Sequence, residues 1–185
     1  MTDRLLWFLF GLLVLFTAAC STAAPESTSA VIESASPAAV ASVAVPPTSI
    51  ELVPLPGFDD GTLTVVTAAG DRLEYPVLVA RTAEQRTQGM MGVLDLGGYA
   101  GMVFVFEEDT EAGFWMRDTS MPLSIAFLTF GGRVVSTADM EPCLNSDECP
   151  RYLPAGPYRR AFEVPQGQFE SLGVSAGSVL ILSSG

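Results

Sequence analysis

The sequence predicts a mainly β domain, a compact antiparallel barrel or sandwich-like fold with about two short helices, and three observations carry that reading. Short runs rich in Val, Leu, Ile, Thr and Phe recur from Thr62 to the C-terminus. Turn-forming residues separate them at hairpin spacing. Only two stretches carry helix-start signals, so crossover helices for a fully parallel sheet are lacking.

The elements follow in order. Thr62–Thr67 and Arg72–Ala80 flank Ala68-Ala69-Gly70-Asp71, a strand pair around a turn. Thr82, with Gln85 three positions on, forms a capping box and opens a helix through about Met91, with Gly92 and Gly97-Gly98 beyond it. Met102–Phe106 is a continuous apolar run between Gly101 and an acidic stretch, which predicts a strand buried on both faces. Gly113–Met116 predicts a short strand, and Ser124–Phe130 with Arg133–Ala138 a hairpin around Gly131-Gly132. Tyr158–Val164 is a further strand. Pro165 then opens a second helix over Gln166–Leu172 that Gly173 closes, and Ser178–Ser183 ends the sheet.

The N-terminal segment sets the compartment. Arg4 precedes an apolar run from Leu5 to Phe16, and Thr17-Ala18-Ala19 leads into Cys20, the layout of a secretory signal. The run is shorter than the roughly 20 residues of a spanning helix. Small residues directly before a cysteine resemble a bacterial lipobox, which makes Cys20 a lipid anchor on the extracytoplasmic side and not a catalytic thiol. Residues 21–56 are Ala, Ser, Thr, Val and Pro with few charges and no aromatic ring, a composition too poor in apolar surface to offset its ordering entropy. We read residues 1–20 as signal, 21–56 as tether and 57–185 as one domain.

Charge and cysteine usage then exclude chemistries. The chain has 21 carboxylates, 9 arginines, no lysine and no histidine, for a net charge of −12. Nucleic acid is not an expected partner. Without histidine, a Ser-His or Cys-His nucleophile and a histidine zinc site are excluded. The acidic run Glu107, Glu108, Asp109 and Glu111 lacks the spacing of a calcium loop and reads as a solvated segment. Cys143 and Cys149, between Pro142 and Pro150, are expected to form a disulfide in an oxidising compartment. Six methionines in the folded part read as core filling, since none fall in a Met-x-Met or Met-x-x-Met repeat. No metal or cofactor is expected.

Several motifs occur in a fixed order: Thr82 with Gln85-Arg86 and Gly89-Met90-Met91; Gly101-Met102-Val103-Phe104; Phe114-Trp115-Met116-Arg117-Asp118-Thr119 with Pro122-Leu123 and Ile125; and Phe162-Glu163-Val164-Pro165 with Gly167 and Leu172-Gly173. Together they resemble the bacterial and archaeal domain of unknown function 192, over Leu73 to Leu182. The resemblance implies a compact, mainly β domain, often exported, with no settled activity. Asp118 stands where that family usually has Asn, and Ser124 where it usually has Asp.

The candidate ligand-binding residues are Arg86, Trp115, Arg117, Asp118, Thr119 and Glu163. Trp115 offers a flat face for stacking, the alternative being a core position. Arg86 offers a planar fork for a carboxylate or phosphate, the alternative being a buried ion pair with Glu163 or Asp118. Arg117, Asp118 and Thr119 follow the tryptophan in a loop, where function concentrates. Asp118 is the sharpest point, because an ionised carboxylate only accepts hydrogen bonds where an amide also donates.

Three functions fit these residues. The first is an extracytoplasmic, lipid-anchored binding or assembly module for a cell-envelope ligand or protein. The second is a glycan hydrolase that pairs Asp118 with Asp139, Glu141 or Glu163 at about 5–5.5 or 6.5–9.5 Å. The third is a purely structural domain. Binding is favoured over catalysis.

Overall fold

The computed structural model describes residues 52–146 and 148–184. The leader, Cys20 and the expected tether up to residue 51 lie outside the described residues. The elements are β1 (Asp59–Val66), β2 (Arg72–Ala80), α1 (Ala83–Gln88), β3 (Met102–Thr110), β4 (Leu123–Leu128), β5 (Val134–Met140), β6 (Tyr158–Pro165) and β7 (Val179–Ser184). The strands form one sheet in the order β5-β4-β6-β3-β2-β1-β7.

The mainly β fold is observed, with three corrections. First, the sheet is mixed, because β2 and β3 pair in parallel through Leu78–Met102, Val79–Val103 and Ala80–Phe104. The connection between them contains α1 and is long enough for the crossover that parallel pairing requires. Second, the sheet does not close into a barrel. Its outer strands approach at one point, where the Leu180 N–H donates to the Gly132 carbonyl and Arg133 bridges Val179, but no ladder joins β5 to β7. Sandwich-like packing is the form that fits.

Third, α1 is the one α-helix among the described residues. The Thr82 hydroxyl accepts from the Gln85 N–H, and the Gln85 side chain accepts from the Thr82 N–H, so the predicted capping box forms. The helix stops at Gln88, earlier than expected, where the chain turns at Gly89. The second expected helix is a series of turns. Gly167 takes φ 81°, outside the helical region, at the second position of that stretch. The expected strand at Gly113–Met116 is reduced to one bridge, Phe114 to Tyr152. The acidic run, by contrast, extends β3.

Apolar residues pack on both faces of the sheet. One cluster contains Leu63, Val65, Val103, Phe162 and Leu180. The other contains Met102, Phe104, Ile125, Phe127 and Tyr158. Met90, Leu96 and Tyr99 from the connection after α1, and Met116 from the segment before β4, belong to this second cluster. Each fully buried side chain of this size contributes roughly 1.5–3 kcal/mol. Packing also reaches back before residue 57: the Val53 N–H donates to the Gly97 carbonyl at 2.9 Å, and Leu55 lies against the second cluster.

Candidate functional site

Glu163 lies in the middle of the sheet, with Met102 of β3 and Ile125 of β4 as its cross-strand partners. Strand alternation puts it on the same face as Ala161, among the second apolar cluster. Close approach at this point depends on a glycine. A Cβ added at Gly101 would lie 2.1 Å from the Glu163 carbonyl oxygen. The Glu163 side chain is 3 % exposed and has no hydrogen-bond or ion-pair partner among the described residues. Burial alone pushes its carboxyl up to about 8, since the charged form loses its water.

The Glu163 carboxyl faces a small recess of about 30 Å³, whose wall includes Arg86, Met90, Trp115, Met116 and Thr119. That volume is room for one or two water-sized groups. A wider hollow of about 340 Å³ adjoins it, sharing Arg86, Phe104, Phe114 and Trp115 and adding Phe106, Arg151 and Tyr158. Its size is that of a small-molecule site. Among the described residues no carboxylate except Glu163 lines either space.

Arg86 projects from α1 into both spaces. Its Nη1 donates to the carbonyls of Arg81 and Val105, and its guanidinium lies 5.0 Å over the Phe106 ring. The expected ion pair with Glu163 or Asp118 is not formed. Its Nε and Nη2 meet no acceptor among the described residues.

Trp115 is half-buried and belongs to neither core cluster. Arg151 stacks over it at 4.2 Å and Arg117 lies at 5.7 Å. The disulfide Cys143–Cys149 supports this wall. Cys143 bridges Arg117 and Thr119, its carbonyl accepts from the Asp118 N–H at 3.0 Å, and Tyr152 exchanges two backbone hydrogen bonds with Phe114.

Of the six candidate residues, Arg86, Trp115, Thr119 and Glu163 therefore converge on the recess, and Arg117 and Asp118 line neither space. Asp118 is exposed, lies 3.6 Å from Arg117 and takes φ 51°. Asn and Asp are the side chains that best tolerate that backbone, so a conformational requirement accounts for Asn or Asp here. Ser124 lies on the opposite face from Glu163. Its hydroxyl donates to Asp139 at 2.5 Å and accepts from the Gly167 N–H.

The profile of the DUF192 family, described as "Uncharacterized ACR", matches residues 64–182. The chain belongs to this family. The match includes every residue named above that lines the recess or the wider hollow. No curated protein matches this DUF192 chain. Two solved structures are similar to it. A candidate transcription regulator from Sinorhizobium meliloti is 26 % identical, with a TM-score of 0.59, over 68 % of this chain and 95 % of that one. A protein of unknown function from Novosphingobium aromaticivorans is 29 % identical, with a TM-score of 0.61, over 70 % and 90 %.

The sequence reading missed Arg151, Phe106 and Tyr158. Arg151 meets Trp115 only because the disulfide-bonded segment folds back along Phe114. Its position directly after Pro150 and the cysteine pair was the only available signal.

Proposed function

We propose that this DUF192 domain is an exported, membrane-tethered binding module whose ligand enters the aromatic hollow and reaches Glu163. One observation carries the reading: a carboxyl 3 % exposed, with no partner among the described residues, facing an open recess beside a guanidinium with unused donors. Leaving a buried polar group unsatisfied costs about 1–3 kcal/mol, which a purely structural domain avoids by placing an apolar residue there. A ligand that partners the group offsets that cost.

The glycan-hydrolase alternative lacks support, because among the described residues no second carboxylate faces Glu163 across either space and Asp118 lies outside both. Export is supported by the leader-like N-terminus and the Cys143–Cys149 disulfide, which suits an oxidising compartment. Among the described residues no helix is long and apolar enough to cross a membrane. The tether in this reading is a lipid on Cys20, on the strength of the small residues that precede it. The regulator label of the Sinorhizobium protein is not carried over, since a chain of net charge −12 is a poor partner for nucleic acid.

The test is a thermal-shift screen of the full chain, in detergent, against wall fragments, sugars and small anions, repeated with Glu163→Gln and Trp115→Ala. A compound that stabilises the wild type and neither variant supports the site. No response to any class returns the domain to the structural reading.

A further inference from the structure

The charges lining the two spaces constrain the chemistry of a ligand. Among the described residues the ionisable side chains of the recess are Glu163 and Arg86; the wider hollow adds Arg151 and Tyr158, whose hydroxyl donates to the Ala112 carbonyl. Arg86 retains Nε and Nη2, and Arg151 is held over Trp115 with Nη1 donating to the Gly113 carbonyl at 3.3 Å. The positive charges thus lie around the open hollow and the single carboxyl lies in the small recess.

Resting on the binding reading above, we propose that the hollow takes a compact zwitterion, its ammonium held in the recess by Glu163 and its carboxylate or phosphate held at the mouth by Arg86 and Arg151.

A simple anion satisfies the guanidiniums but leaves Glu163 without a partner. A simple amine must enter past two guanidiniums and leaves both unanswered. Only a ligand that carries both charges matches both ends. Size agrees: an ammonium head is close to a water molecule in volume, which the recess of about 30 Å³ accommodates, and the hollow of about 340 Å³ holds the spacer and the anion. The recess wall suits the cation further, since the Phe104 and Phe114 rings and the thioethers of Met90 and Met116 line it, while Arg86 holds its Nη1 toward the Arg81 and Val105 carbonyls. Because burial raises the Glu163 carboxyl to about 8, its ionisation accompanies ammonium binding below that pH. Apparent affinity should then fall about tenfold per pH unit below it.

The experiment uses the full chain in detergent. Ligand-observed NMR and calorimetry at about pH 9 compare γ-aminobutanoate and phosphoethanolamine with butylamine and butanoate, each of which keeps one charge. Vesicles of phosphatidylethanolamine, against vesicles of phosphatidylglycerol, separate a lipid headgroup from a free solute; a response from either zwitterionic source supports the proposal. The expected result is at least tenfold tighter binding of a zwitterion than of either single-charge relative. Glu163→Gln should remove that advantage and the pH dependence, and the surface variant Arg151→Gln should weaken binding without loss of fold. If butanoate binds as tightly as γ-aminobutanoate, the zwitterion proposal is overturned and the binding reading stands. If no compound binds, including the panel of the thermal-shift screen, both fall.

Discussion

Arg86 and Glu163 line the same recess and do not pair. Arg86 commits Nη1 to the carbonyls of Arg81 and Val105 and lies over Phe106, which holds its charge toward Arg81 and the middle of β3. Glu163 remains among Met102, Ile125 and the methionines of the recess with no partner among the described residues. An internal ion pair would have closed the site. The separation leaves two opposite charges for something else to bridge.

The first prediction concerns pH. The Glu163 carboxyl is raised by burial from an ordinary 4.5 to about 8, and among the described residues Arg86 is the only other charged side chain lining its recess. Below 4.5 the group is protonated in both folded and unfolded chains, and its contribution to stability is fully present. Between 4.5 and 8 the unfolded chain ionises while the folded one does not, so stability is lost as pH rises, by up to about 5 kcal/mol. Glu163→Gln does not titrate. Urea unfolding across this range should show the two proteins close at the acid end, with the variant several kcal/mol more stable at the alkaline end. Parallel curves would contradict a buried, partnerless carboxyl.

The second concerns Asp118. With φ 51° and an exposed side chain, it is a backbone position before it is a chemical one. Asp118→Asn should leave stability within about 0.5 kcal/mol and leave ligand affinity unchanged. Asp118→Val, which resists a positive φ, should cost about 1–2 kcal/mol. The neighbouring Arg117–Asp118 pair, exposed and 3.6 Å long, contributes little. A marked loss of binding in Asp118→Asn would return this residue to the site.

What the sequence made legible was local. The capping of Thr82 by Gln85 and the Cys143–Cys149 pair are contacts between near neighbours, with side chains whose chemistry leaves few alternatives. Arg86, Trp115, Thr119 and Glu163 stand out in the sequence as separate candidates, and their meeting at one recess is a matter of the fold. Arg151 was not legible, because its contact with Trp115 is set by two backbone segments meeting across the sequence. The parallel β2–β3 pair was missed although the connection had the length and the helix that a crossover requires. Gly167 falls within a stretch whose sequence predicts a helix, and nothing local announces its positive φ.

The third prediction concerns the disulfide. Cys143 holds Arg117, Asp118 and Thr119 by backbone contacts, so the bridge to Cys149 stiffens the wall that carries Trp115. Closing a loop this short is worth about 2 kcal/mol. The double variant Cys143→Ala, Cys149→Ala should lower the urea midpoint accordingly and loosen Trp115. A Trp7→Phe background leaves Trp115 as the sole tryptophan, and its emission should shift to the red. An unchanged spectrum would show that the wall stands without the bridge.

The fourth concerns Gly101, which precedes β3 and lets β6 approach. A Cβ there would lie 2.1 Å from the Glu163 carbonyl oxygen and 2.9 Å from both Phe162 and Val164 side chains. The first of these is backbone within a sheet that pairs Glu163 on both sides, so it cannot move aside without breaking ladder contacts. Gly101→Ala should therefore cost about 3 kcal/mol or more. Gly156→Ala is the control, since the nearest atom to its Cβ is 3.9 Å away and its φ is not positive; it should be neutral within about 0.5 kcal/mol. The two variants also separate packing from function. If Gly101 serves the position of Glu163, Gly101→Ala should flatten the pH dependence of stability as Glu163→Gln does, because a displaced β6 admits water to the carboxyl and lowers its proton affinity toward the ordinary value. A Gly101→Ala protein that is destabilised equally at every pH relative to wild type would show that the clash is relieved without moving Glu163.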